Sequence, residues 1–170
     1  MDNKETNDAI DNLNLPKRKE GESTSNYLKR LDEDGRFLFH GSPYAQIEIL
    51  EPRKANDVGG DEWGNDTAVY AVAAVIAVGR AILPKREMIK GDWNIGSSRD
   101  PNRPGGPITT ISSNITLSKG SVYIVDKQGF LPNKEGNEWK SKKQVKILAE
   151  VKVEPENYKE MGGVIKVLDE

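Results

Sequence analysis

The chain contains no cysteine and a single histidine among its 170 residues. Disulfides, thiolate metal sites and cysteine nucleophiles are thereby excluded, and so is a metal centre built from several imidazoles. Neither sign of charge dominates: 25 Lys and Arg stand against 27 Asp and Glu, for a formal net charge of −2. Such a balance gives no general attraction to nucleic acid or to an anionic membrane surface. Long apolar runs are missing too. The longest weakly apolar stretch, AVYAVAAVIAVGRAIL at 68–83, is interrupted by Gly79 and Arg80. It falls short of the roughly 18 apolar residues that a spanning helix needs. The N-terminal segment is polar and mixed in charge, without the apolar centre of a secretory signal. These absences make a soluble, cytoplasmic chain that avoids membranes the expectation.

What is present suits one ordinary domain with a real core. Residues 1–22 offer little to bury against the entropy cost of ordering, so a disordered tail is expected there and a single domain over 23–170. In STSNYLKRLDED, Ser and Thr caps precede Tyr27, Leu28 and Leu31 at helical spacing, which predicts a short helix ending near Gly35. The pattern then turns to strands. Residues 36–40 alternate, with Phe37 and Phe39 on one face and Leu38 on the other, and QIEIL follows as a second strand-like segment. Residues 53–67, rich in Gly, Asn and Asp, form a loop. AVYAV is a strand of small residues, and AVIAVGRAIL a helix that stops before Pro84. Residues 90–107 form a second long polar loop, closing on Pro104, Gly105, Gly106 and Pro107. ITTISSNITL, SVYIVD, QVKILAEVKVEP and GVIKVL are strands by alternation and β-branching. Separate strands without regular βαβ alternation predict an α+β fold.

Three short motifs carry chemistry. FLFHGSP ends a strand on His40, Gly41 and Ser42. A glycine lets a flat ligand approach the peptide, whose N–H and C=O suit a planar carboxamide, while an imidazole can bond a hydroxyl. Tyr70 lies among small residues, where a ring face has room to stack. Glu138, in NEWKS, stands at the start of an expected strand. Each has an ordinary structural alternative: a histidine capping a strand, a tyrosine filling the core, a glutamate on a solvated strand end.

In this order, FLFHGSP, AVYAV and NEWKS resemble the His, Tyr and Glu motifs of the ADP-ribosyltransferase fold. This is the branch that includes poly(ADP-ribose) polymerases, rifamycin-modifying ADP-ribosyltransferases and RNA 2′-phosphotransferases. The likeness spans about residues 36–158, with KGSVYIVDKQGF and QVKILAEVKVEPENY similar to the late strands of small bacterial members. It implies a split β-structure, two small sheets forming a cleft, with a few flanking helices. It implies NAD as substrate, no metal, and transfer of ADP-ribose to an acceptor that is a protein, a nucleic acid or a small molecule. His40 would bond a ribose hydroxyl, Gly41 the nicotinamide carboxamide through its backbone, and Ser42 would share in cofactor binding. Tyr70 would stack on nicotinamide. Glu138, or Glu135 as the alternative, would hold the ribose and stabilise the sugar cation. The helix after the tyrosine strand lacks the Ser, Thr or Tyr often found there, so Trp63 or Trp93 would supply a second stacking face or else anchor its own loop. Two other readings stay open: a non-catalytic module binding NAD, ADP-ribose or a protein, and an RNA 2′-phosphotransferase-like enzyme, which needs arginines around the histidine. Arg36 and Arg53 are near in sequence, and Arg99 and Arg103 are candidates for a pyrophosphate.

Overall fold

Ser23 starts the first helix by accepting a hydrogen bond from the Asn26 amide (3.1 Å), and Gly35 ends it in the left-handed conformation (φ 84°). In between, helix α1 (Thr24–Asp34) buries Ser25, Tyr27, Leu28 and Leu31 along one face. The structure, a computed structural model, describes residues 15–54, 63 and 66–168. Most of the expected tail lies outside these residues, but 15–22 are fastened. Leu15 packs on the core, Tyr27 Oη donates to Pro16 O (2.7 Å), and Arg30 pairs with Glu22 (2.8 Å). The domain therefore begins before residue 23.

Strand β1 (Phe37–Ser42) comes next, starting one residue later and ending two residues further on than alternation suggested, followed by two short strands, β2 (Ile49–Leu50) and β3 (Arg53–Lys54). β4 is Thr67–Ala71, and α2 is Ala74–Ala81. After a 3-10 turn at Arg86–Met88, β5 (Ile95–Ser97) arises inside what the sequence marked as loop. β6 (Ile108–Ser112), β7 (Gly120–Asp126), β8 (Leu131–Pro132), β9 (Trp139–Ser141), β10 (Val145–Lys146) and β11 (Ala149–Val153) follow. Helix α3 (Pro155–Glu160) and β12 (Val164–Leu168) end the described chain. The class is α+β. Four small sheets are present among the described residues: β1–β7–β11, β10–β2, β12–β6–β5 with β12 parallel to β6, and β3–β4–β9–β8.

The β1–β7–β11 sheet is the middle layer. Phe37, Phe39, Val122, Ile124, Val151 and Val153 pack with the helices on one side. Leu38, Tyr123 and Val125 pack on the other side with Val69 and Ala71 of β4. Period-two alternation thus feeds two cores from one strand. α2 lies directly on the sheet: a Cβ at Gly41 would collide with the Ala77 carbonyl, and one at Gly120 with that of Ala81. Ala73 gives α2 no capping side chain; the backbone of Ala74 lies near enough to the Asp32 carboxylate of α1 to oppose the rise that burial gives its pKa. None of the described helices is long and apolar enough to cross a membrane.

Candidate functional site

β1 and β4 meet at one place. Phe39 donates to Val72 O (3.0 Å) and accepts from Val72 N (2.8 Å) in an isolated bridge. Beyond it the strands diverge. Gly41, two residues on, turns its N–H and C=O to the same edge as Phe39, by the alternation of an antiparallel ladder. The glycine itself is explained differently from the sequence expectation: its missing side chain makes room for α2, not for a ligand. What it offers a ligand is a backbone donor and acceptor on an edge that β4 leaves.

His40 spans the divergence. Its Nδ1 lies 2.8 Å from Tyr70 O. A carbonyl only accepts, so Nδ1 carries the proton and Nε2 of the neutral ring is an acceptor. Burial holds the imidazole below its ordinary pKa; the Tyr70 carbonyl opposes this, and the charges of Arg80 and Arg53 add to it. Those two arginines therefore lie within electrostatic reach of His40. Ser42 is buried, and its Oγ accepts from Tyr44 N (3.1 Å), which commits it to the turn that follows β1.

Tyr70 is half-buried, and its hydroxyl is engaged. It donates to Trp63 O (2.6 Å), lies 3.1 Å from Asp66 O, and accepts from Asp66 N at 3.1 Å. The ring is thus fixed by its polar end. Tyr70 opposes Lys140 across the β4–β9 pair, so the two share a face, while Ala71 and Trp139 take the other. Lys140 Nζ sits 3.9 Å from the centre of the Trp63 ring and 3.2 Å from Asp66, whose carboxyl it holds below the usual range. Trp63 is built into this loop. Its Nε1 is buried with no partner among the described residues. Trp93 pairs instead with Arg86, 5.7 Å from its ring centre.

Glu138 is not on a solvated strand end; it is 5% exposed. Asn133 shapes the turn before it, accepting from Asn137 N (2.9 Å) and Glu138 N (3.2 Å). Two guanidiniums meet the carboxylate. Arg80 of α2 reaches Oε2 at 3.1 Å, and Arg99 of the β5–β6 loop reaches Oε1 at 2.9 Å. Glu135, the alternative acid, is exposed at the turn and borders a cavity of about 380 Å³, together with Asp100, Asn102, Asn137, Trp139 and Ala73. Arg103 is exposed, its carbonyl accepting from Gly106 N (2.9 Å). Arg36 is bound to Asp34 and points its charge over Phe37.

His40, Gly41 and Tyr70 thus meet at the divergence through the His40 Nδ1–Tyr70 O contact, while Glu138 stands just before β9, the strand paired with β4, with Arg80 and Arg99 as its partners. Sequence reasoning missed Arg80, which stood out only as an interruption of an apolar run. No group of three or more His, Asp or Glu suited to a metal occurs among the described residues. Comparison with protein-family models, curated proteins and solved structures gave no match.

Proposed function

We propose that the chain is an NAD-dependent ADP-ribosyltransferase whose site is the divergence of β1 and β4. The observation that carries this reading is a single arrangement: the Gly41 edge of β1 beyond its one bridge to β4, a tyrosine of β4 fixed by its hydroxyl, and a buried carboxylate just before β9. A nicotinamide carboxamide would take the Gly41 N–H and C=O, and its ring would lie on Tyr70. His40 Nε2 would accept from a ribose hydroxyl. The bond from ribose C1′ to the nicotinamide nitrogen then breaks, nicotinamide leaves with the electron pair, and the sugar becomes cationic. A fixed carboxylate at Glu138 favours that charge more in the transition state than before it. The acceptor nucleophile then bonds to C1′ and loses its proton.

Incubation with NAD, with free nicotinamide followed over time, tests the reading. The parent should release nicotinamide. His40→Ala and Glu138→Gln should each lower the rate by about a hundredfold, with Glu138→Gln retaining more NAD affinity than His40→Ala. Tight NAD binding without release would mark a binding module. A second enzyme reading draws on Arg53 and Arg80 near His40: cations there suit a phosphate, as in an RNA 2′-phosphotransferase-like reaction. NAD consumption that requires 2′-phosphorylated RNA would select it.

A further inference from the structure

Glu138 has two partners of different standing. Arg80 is rooted in α2, whose other residues are all buried, and its side chain is 29% exposed. Helix α2 is wedged against β1 and β7 at Gly41 and Gly120, so the root of Arg80 cannot shift without moving the central sheet. Arg99 grows from the loop between β5 and β6, and its side chain is 36% exposed. That loop is braced chiefly by short-range bonds of its own: Asp100 N to Ser98 Oγ (3.1 Å), Asn102 N to Asp100 Oδ1 (2.9 Å) and Gly106 N to Arg103 O (2.9 Å). It also walls, through Asp100 and Asn102, the cavity bordered by Asn137 and Trp139, the chain neighbours of Glu138.

We propose that Arg80 is the positioning residue of this site, fixing the Glu138 carboxylate through Oε2, and that Arg99 holds Oε1 only until a ligand hydroxyl replaces it. The inference rests on the transferase reading and deepens it, since it assigns the two oxygens different work. Oε2 stays with the helix. Oε1 is presented to the ribose. In α2, Ala74–Ala81, Arg80 is the one polar side chain. The polar face of Arg99 moves to solvent, at little cost for a guanidinium already partly exposed.

The test measures nicotinamide release by the full chain carrying Arg80→Met, Arg80→Lys or Arg99→Gln. Arg80→Met should lower kcat by about a hundredfold with little change in KM, as expected when a reacting group is misplaced by about 1 Å. Arg80→Lys should recover about tenfold of that loss, because the charge returns without the planar fork. Arg99→Gln should instead lower KM by about threefold, since the competitor for Oε1 is gone. A kcat loss in Arg99→Gln equal to that of Arg80→Met overturns the proposal, as does an unchanged kcat in Arg80→Met. A second measurement stands apart from activity. Double-mutant cycles in thermal unfolding, pairing Glu138→Gln with each arginine variant, should show stronger coupling to Arg80 than to Arg99. Equal or reversed coupling overturns the assignment. Stronger coupling to Arg80 in a chain that releases no nicotinamide would retain the anchoring and remove the transferase reading alone.

Discussion

His40 is half-buried as a neutral ring, and that choice has a pH signature. Its pKa in the folded chain is lowered, so the unfolded chain takes up the proton first as pH falls. The contribution of this group to stability is complete above about pH 6.5 and declines below it until the folded pKa is reached. Melting temperatures of the parent and of His40→Gln, compared from about pH 7.5 down to about pH 5, check the sign. The parent should lose stability more steeply, and a parallel pair of curves would show that no proton is excluded from His40. Gly41 gives a second prediction at the same scale. Gly41→Ala forces a methyl group into the Ala77 carbonyl, and denaturant unfolding should show a loss of about 2 kcal/mol or more. The sequence suggested a glycine left bare for a ligand. A neighbouring helix 36 positions away had claimed that space, and nothing local to HGS could reveal it.

At the scale of elements, Tyr70 separates into a ring and a hydroxyl with different tasks. The hydroxyl ties the described loop residues Trp63 and Asp66 to β4, and the ring is the part that the proposed stacking would use. Tyr70→Phe should cost about 1 kcal/mol of stability and leave NAD affinity within about threefold. Tyr70→Ala should lose both, and calorimetric titration with NAD distinguishes the two variants. How much was legible follows from which forces are local. The ends of α1 were readable because Ser23 and Gly35 act within a turn of the helix. β1, β4 and β7 were readable because alternation survives in the sequence wherever two faces are packed differently. β5 was hidden, since its strand IGS has no apolar alternation and exists by pairing with β6. The environment of Glu138 was hidden for the same reason. Its partners lie 58 and 39 residues away and meet only after three sheets and a helix are assembled.

Across the whole molecule, the central sheet serves two cores, and the candidate site occupies the seam where its first strand touches the second sheet and then departs. A seam of this kind leaves backbone groups unpaired by the ladder while both flanking cores keep it rigid. The central claim is that NAD lies in this seam, and one structure determination tests it most directly. Crystals of Glu138→Gln grown with NAD should slow cleavage enough to trap the intact dinucleotide. The expected electron density places the nicotinamide amide on the Gly41 N–H and C=O, its ring on Tyr70 and a ribose hydroxyl on His40 Nε2. NAD bound elsewhere, with the β1–β4 seam filled only by solvent, would contradict the account.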